Sequence, residues 1–306
     1  MRIYYNQSKS DSTVMTLGTF DGVHSGHQEI IKLTIERAKE LGCDSGLFTF
    51  DTHPLDVLFP LKAPKALTSW SQKRRVIEKF GVNKIILNKF TKDFSRIPAE
   101  EFILNYILKR FKTKEIIIGK DFRYGYRNQG TPQKLKRLGE KLGFGVNVVG
   151  FFKSNNKKIS STRVRSLIEK GKLNEAKEKL RRNFMIEAHV VGGDKRGRKL
   201  GFPTANLNPV VNYVLPPAGV YSCRVKVDNN TYLGVVHLGL RPTFAKGEFA
   251  IEVHIFDFSQ NIYGKKVELE FVERIRGEEN FSTSQELIEK IKEDIRVAKE
   301  QLKINN

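Results

Sequence analysis

Three short runs of this 306-residue chain carry residue types that suit phosphate chemistry. The densest is Leu17-Gly18-Thr19-Phe20-Asp21-Gly22-Val23-His24-Ser25-Gly26-His27, which follows an apolar run and opens a helical pattern. A helix N-terminus offers free backbone N–H groups and a positive dipole end, both of which suit phosphate. Gly22 and Gly26 let backbone approach a ligand closely. His24 and His27 can each donate a hydrogen bond to a phosphate oxygen. Two histidines three residues apart are also able to ligate a metal or cap the helix, and the spacing alone leaves those options open.

The second run, Lys157-Lys158-Ile159-Ser160-Ser161-Thr162-Arg163-Val164-Arg165, puts three hydroxyls and two arginines at another expected helix start. Such a group can hold a leaving pyrophosphate through charge-assisted bonds. A plain Ser/Thr cap with solvated arginines accounts for one hydroxyl but not for the density of the cluster. The third run extends from Gly192 to Asn206 and contains Lys195, Arg198, Gly201, Thr204 and Asn206. Glycines give a mobile loop, and its basic residues suit polyphosphate. The Gly-Lys-Ser/Thr spacing of a Walker loop is absent. Thr204 and Asn206 supply oxygen ligands that magnesium accepts. A solvated basic turn is the alternative for this loop.

The elements around these runs change character midway. In the first half, apolar strands at Val14–Leu17, Ser45–Phe50, Lys84–Leu87, Glu115–Ile118 and Val146–Phe151 alternate with helical patterns. That alternation predicts a mostly parallel sheet covered by helices, with ligands at the carboxyl ends of its strands. From about Phe184, short strands follow one another: Met185–Val191, Val220–Val227, Tyr232–Leu238, Ala250–Phe258 and Lys266–Val272. Asp228-Asn229-Asn230 signals a hairpin turn, and the whole predicts a small barrel. A final helix is expected with Ser282 and Gln285 at capping-box spacing and a stripe of Leu287, Ile288, Ile291, Ile295, Ala298 and Leu302. The polar stretch Arg181-Arg182-Asn183 places the boundary between domains of residues 1–183 and 184–306.

Composition narrows the class. Hydrophobic residues make up 39% and charged residues 29%, which describes a globular chain rather than a disordered or fibrous one. No stretch approaches the roughly 20 apolar residues of a membrane span. Met1 to Ser8 lack the apolar run of a secretory signal, so a cytoplasmic location is expected. Two distant cysteines, Cys43 and Cys223, form no disulfide framework or zinc site by themselves. The formal charge of +20 suits nucleic acid or phosphate-bearing small molecules. Its basic residues are dispersed, without a basic tail or aromatic interleaving, and so favour the small molecules.

The first two runs resemble the nucleotidyltransferase superfamily, whose signature is His-x-Gly-His with a downstream Ser-Ser-Thr-x-x-Arg. More closely, they resemble the FAD synthetase module of the bacterial bifunctional riboflavin kinase and FAD synthetase family. Phe50-Asp51-Thr52-His53-Pro54, Gly119-Lys120-Asp121-Phe122-Arg123-Tyr124-Gly125, Arg127 and Gly130 extend the match, with Asp51-Thr52 a variation on it. The third run resembles the riboflavin kinase signature Gly-Arg-x-Leu-Gly-Phe-Pro-Thr-Ala-Asn. It is joined by Gly219-Val220-Tyr221, Gly239-Leu240-Arg241-Pro242-Thr243, Glu252-Val253-His254 and Tyr263-Gly264-Lys265. His237-Leu238-Gly239 stands where that family usually has Asn-Ile-Gly.

The resemblance implies a Rossmann-like α/β nucleotidyltransferase domain followed by a six-stranded antiparallel β-barrel of the riboflavin kinase kind with a terminal helix. It implies that riboflavin is phosphorylated to FMN by Mg-ATP, and that FMN is then adenylylated to FAD with release of pyrophosphate. ATP's phosphates would lie against His24 and His27, with Gly18, Phe20 and Gly26. Ser160, Ser161, Thr162, Arg163 and Arg165 would hold the outgoing pyrophosphate. The flavin would meet His53, Pro54, Asp121, Phe122 and Tyr124. In the kinase, Gly192, Lys195, Arg198 and Gly201 would bind ATP. Thr204 and Asn206 would hold Mg2+ and the phosphates, and Glu252 would be the base for the ribityl hydroxyl. The expected partners are these small molecules, with no membrane and no nucleic acid, on a monomer or weak oligomer. The alternatives are a chain that keeps one of the two activities, or a basic RNA-binding protein.

Overall fold

A computed structural model describes residues 2–5, 10–154, 157–193, 197, 200–240 and 249–304. The chain divides into two compact units: residues 1–64 with 70–161, and residues 65–69 with 162–306.

The first unit is built on a six-stranded sheet in the order β1-β4-β3-β2-β5-β6. Its strands are β1 Arg2–Tyr5, β2 Thr13–Leu17, β3 Asp44–Phe50, β4 Lys84–Asn88, β5 Thr113–Gly119 and β6 Gly145–Val149. Strands β2 to β6 pair in parallel, as their near-continuous apolar runs require of a sheet covered on both faces. The β1 strand adds an antiparallel edge on β4, which the sequence reading missed. The strand order turns at β2, with β3 and β4 to one side and β5 and β6 to the other. A crevice outside the carboxyl ends of β2 and β5 is therefore the expected ligand position.

Helix α1, Ser25–Glu40, follows β2 and buries Ile31, Thr34 and Ala38. Helix α2, Pro54–Leu58, follows β3, and α3, Trp70–Glu78, precedes β4. Helix α4 begins at Ala99–Glu101, becomes π-helical over Phe102–Leu108 and ends at Lys109–Phe111. It buries Phe102, Ile103, Ile107 and Phe111. Helix α5, Pro132–Leu142, is capped by Thr131 and closed by Gly143 at φ 78°. Two short antiparallel strands, β7 Lys153–Ser154 and β8 Lys157–Lys158, lead into helix α6, Ser161–Glu169, and helix α7, Leu173–Leu180, completes the first half of the sequence.

The second unit is a closed antiparallel barrel in the order β10-β13-β12-β11-β14-β9. Its strands are β9 Phe184–Val191, β10 Ala205–Pro209, β11 Gly219–Val227, β12 Asn230–Leu240, β13 Phe249–Ile255 and β14 Lys266–Arg276. The reading missed β10, which is only five residues long, alternates two asparagines with Ala205, Leu207 and Pro209, and so ends in proline. The β13 strand stops at Ile255, not at the expected Phe258. Asp228-Asn229 makes the two-residue turn between Val227 and Asn230.

Alternate residues of the strands, such as Ile251, Val253 and Ile255, fill the barrel. Leu167, Ile168, Leu173 and Leu180 of α6 and α7 pack with that core, and so does Leu67. The final helix α8, Ser284–Ile304, seals Ala298 and Leu302 against Val220, Val235, Phe256 and Val272. Its cap lies one residue later than the sequence suggests. Thr283 Oγ1 accepts from the Glu286 N–H, and the Glu286 carboxylate accepts from the Ser282 N–H. Thr283 and Glu286 therefore take the roles expected of Ser282 and Gln285.

Candidate active sites

The first site grows from the turn after β2. Gly18 N–H donates to the Phe48 carbonyl at 3.1 Å, carrying the ladder one step past the strand end. The backbone then enters the left-handed region at Phe20, Gly22 and Val23, with φ of 49°, 79° and 38°. Only glycine adopts that region freely, so the turn persists because its surroundings fix it. Val23 N–H donates to the Phe20 carbonyl at 3.1 Å, and the Gln28 amide donates to the Val23 carbonyl at 2.9 Å. The Ser161 hydroxyl donates to the Asp21 carbonyl at 2.8 Å, joining the second run to the first.

The histidines divide their duties. His24 caps α1, its Nδ1 accepting from the His27 N–H at 3.3 Å. That leaves the proton of a neutral His24 on Nε2. The capping option that the spacing left open is thus realised at His24. The two rings stack with centroids 3.7 Å apart. A Cβ at Gly26 would stand 3.3 Å from the His24 ring, so glycine makes room for it. The Nδ1 of His27 is buried without a hydrogen-bond partner among the described residues. Burial, and after it the charges of His24 and Lys73, hold the His27 imidazole well below the usual histidine range. His27 is therefore neutral at pH 7.

His27 opens onto a cavity of about 630 Å³, also lined by Gly18, Phe20, Pro54, Asp121, Phe122 and Tyr124. These seven candidate residues, drawn from three separate runs, meet around one space. His24, Gly26 and His53 lie outside its lining. His53 caps α2 instead, its Nδ1 accepting from the Leu55 N–H at 3.2 Å. Asp121 is paired with Lys158. Phe122 and Tyr124 stack at 5.5 Å. Burial pushes the Tyr124 phenol up to about 12, with Glu100 adding to it. Tyr124 bridges to Gly130 through paired backbone bonds, which explains the extended motif.

Thr162, Arg163 and Arg165 lie on α6 within the second unit, where Arg165 Nε donates to the Lys65 carbonyl at 2.7 Å. Sequence reasoning missed most of the aromatic wall of the cavity, Phe48, Phe50, Phe90, Phe94 and Phe102. Phe48 and Phe50 sit in an expected strand, Phe90 and Phe94 in no expected element, and only the fold turns all five toward a shared space. It also missed Lys73, whose buried ammonium donates to the Thr19 carbonyl at 2.8 Å.

The second site lies on the outer face of the barrel. Asn206 on β10 stands opposite Glu252 on β13, and Glu252 stands opposite His237 on β12. Opposed residues share a face of the sheet. Thr204, two residues before Asn206, has its hydroxyl 3.5 Å from a Glu252 carboxylate oxygen. The His254 ring is 2.8 Å from the Pro203 carbonyl. Gly193 presses on the Asn206 amide so closely that a Cβ there would clash with it. Gly201 takes a left-handed φ of 89°. Lys195 and Arg198 lie outside the described residues, as do Arg241, Pro242 and Thr243. A cavity of about 370 Å³ is lined by Thr204, Pro203, Phe258, Ile262 and Tyr263, with Glu252 and Asn206 beyond its lining.

Comparison with known proteins agrees on both halves. Residues 6–163 match the family model of FAD synthetase, and residues 180–302 match that of riboflavin kinase. The chain is 37% identical to a bifunctional riboflavin kinase/FMN adenylyltransferase of Bacillus subtilis, over 94% of this chain and 91% of the relative. Relatives of the same description from Buchnera aphidicola of Schizaphis graminum and from Escherichia coli K12 are 35% and 32% identical. The first alignment covers 98% of this chain and 97% of the relative, and the second 96% and 94%. A solved Streptococcus pneumoniae structure titled as a macrolide-efflux protein superposes with a TM-score of 0.84 at 30% identity, covering 96% of each chain. Among the described residues, no helix is long and apolar enough to cross a membrane.

Proposed function

The chain belongs to the bifunctional riboflavin kinase/FMN adenylyltransferase family, and from that premise we propose how its residues divide two reactions. The enzyme phosphorylates riboflavin to FMN with ATP and adenylylates FMN with a second ATP to give FAD and pyrophosphate. The FAD synthetase domain is residues 1–183 and the riboflavin kinase domain is residues 184–306. What supports two separate sites most is that His27 and Thr204 each line a cavity within their own unit, and the two family models part between residues 163 and 180.

In adenylyl transfer, an FMN phosphate oxygen attacks the α-phosphorus of ATP and the bond to pyrophosphate breaks. The nucleophile is already an anion, so positioning and charge stabilisation do most of the work. Neutral His27 donates a hydrogen bond to the polyphosphate, and His24 contributes its Nε2 proton. Gly18, Phe20 and Gly26 shape the turn. Asp121, Phe122, Tyr124 and Pro54 receive the flavin, with His53 holding the Pro54 helix in place. Ser160, Ser161, Thr162, Arg163 and Arg165 hold the pyrophosphate, an assignment that comes from their motif.

In the kinase reaction, Glu252 takes the proton of the ribityl 5′-hydroxyl as the hydroxyl oxygen attacks the γ-phosphorus of ATP, and the bond from that phosphorus to the departing ADP breaks. An alcohol is a poor nucleophile, so a base is required. The loop residues Gly192, Lys195, Arg198 and Gly201 bind the ATP phosphates. A hydroxyl, a side-chain amide and a carboxylate gathered at Thr204, Asn206 and Glu252 are the hard oxygen donors that Mg2+ prefers. Thr204 and Asn206 would hold that ion, which supplies charge neutralisation on the phosphates.

The enzyme works in the cytoplasm on ATP, riboflavin and FMN, as a monomer or weak oligomer and without a nucleic-acid partner. The test is to incubate the chain with riboflavin, ATP and magnesium and to resolve the flavins over time. FMN appearing first and FAD afterwards is the expected result. No product from either riboflavin or FMN, together with salt-sensitive RNA binding, would overturn the reading.

A further inference from the structure

We propose that Lys73 is a positioning residue for adenylyl transfer: a buried cation that ties the ends of β2 and β3 together behind the His24–His27 turn. This inference rests on the reading of the first site as the adenylyltransferase. The Lys73 side chain rises from α3 and is 7% exposed as a residue. Lysine is almost never so buried unless its charge is used. Its ammonium donates to the Thr19 carbonyl at 2.8 Å and to the Phe50 carbonyl at 3.4 Å. Thr19 and Phe50 both line the cavity, and each lies just beyond or at the carboxyl end of its strand. The Thr19 carbonyl also accepts from the Thr49 hydroxyl at 3.1 Å, so the two strand ends are clasped twice.

The clasp sits under a contorted stretch of backbone, the turn with positive φ at Phe20, Gly22 and Val23. Such a turn keeps one shape only if its neighbours hold it. Two carbonyls could be satisfied by a neutral donor or a water. A full positive charge adds attraction for an anionic ligand and needs no reorganisation when that ligand arrives. Desolvation draws the ammonium down to about 8, against the opposing pull of Asp21 and Asp51, which is what a costly and retained charge looks like. The same charge helps to keep His27 neutral.

The test uses the full-length chain carrying Lys73→Met, Lys73→Gln or Lys73→Arg. FMN adenylylation is measured as kcat and as KM for ATP, with riboflavin phosphorylation by the same preparation as the internal standard. Trp70, the single tryptophan of the chain, stands on the same helix 5.6 Å from Tyr4, so its fluorescence reports whether α3 remains packed. Lys73→Met is expected to keep native Trp70 emission and kinase activity. Its kcat for FAD formation should fall about 100-fold, with KM for ATP moving less than about threefold. Lys73→Arg, which keeps the charge and the donors, should recover about tenfold of that loss. Lys73→Gln, which keeps a donor but no charge, should not. If Lys73→Met fails to fold, Lys73→Gln decides the matter. A folded Lys73→Gln with kcat within about threefold of the parent overturns the proposal. So does a loss that merely tracks the unfolded fraction at unchanged turnover per folded molecule.

Discussion

At the scale of single residues, the proposed adenylyltransferase site centres on a histidine that burial keeps uncharged. His27 stacks on His24, faces the cavity and has a buried Nδ1 without a partner among the described residues. Replacing it by alanine should lower FAD formation by about 10²–10³-fold, the usual effect of losing one preorganised donor, while riboflavin phosphorylation continues. Flavin chromatography on the same preparation reads both activities. The neutral state also has a thermodynamic consequence. The folded pKa lies below the unfolded value of 6.5, so the unfolded chain binds the extra proton first. The stability of the first unit should be fully present above pH 6.5 and should decline as pH falls toward the folded pKa. The limit for one proton is about 1.4 kcal/mol per pH unit. Denaturant titrations between pH 5 and 8 should show this slope, and His27→Ala should flatten it.

At the scale of elements, the loops at the carboxyl edge of the parallel sheet line the cavity, and short connections hold the elements together. The segment Lys65–Ser69 is one such connection, and it folds with the second unit although it lies in the first third of the sequence. Ala66 N–H donates to the Asn212 carbonyl at 2.8 Å, Ala66 bridges to Tyr213, and the Ser69 hydroxyl donates to the buried carboxylate of Glu187. Leu67 is 1% exposed within the core that fills the barrel end. Leu67→Ala should therefore destabilise the second unit by about 2–5 kcal/mol, the range for a large side chain removed from a packed core. The check is the denaturant midpoint of riboflavin kinase activity. Periodicity could not have shown this docking, because a five-residue segment carries no record of which core it joins. The sequence did show the apolar strands and the α8 stripe, since burial on one face leaves a repeat that can be counted. It missed β10, whose five residues offer Leu207 as their one large buried side chain and whose pairing with β9 and β13 is set by closure of the barrel.

At the scale of the whole molecule, the proposed assignment gives each activity its own machinery. A His27→Ala chain keeps the Thr204, Asn206 and Glu252 set, and a Glu252→Gln chain keeps the His24 and His27 turn. Neither variant alone should carry riboflavin to FAD. Their equimolar mixture should restore FAD formation, with FMN from the first serving as substrate for the second. Continued failure of the mixture, when each variant shows its single activity, would mean that free FMN is not the shared intermediate.

The sequence by itself determined the class of both halves, their order, and the runs that carry the chemistry. Those depend on residue type at fixed spacing, and a turn that must accept positive φ or a helix start that must meet phosphate leaves its mark in neighbouring letters. Only the tertiary structure decided which of those residues share a space. It gathered Asp121, Phe122 and Tyr124 from the segment after β5 with His27 from α1 around one cavity, and it made His53 a helix cap beside that cavity. It also sent Lys73, one of many lysines in the sequence, beneath the turn, and it converted a row of core phenylalanines into a wall. Burial and direction arise from the packing of distant strands, and no local pattern encodes them.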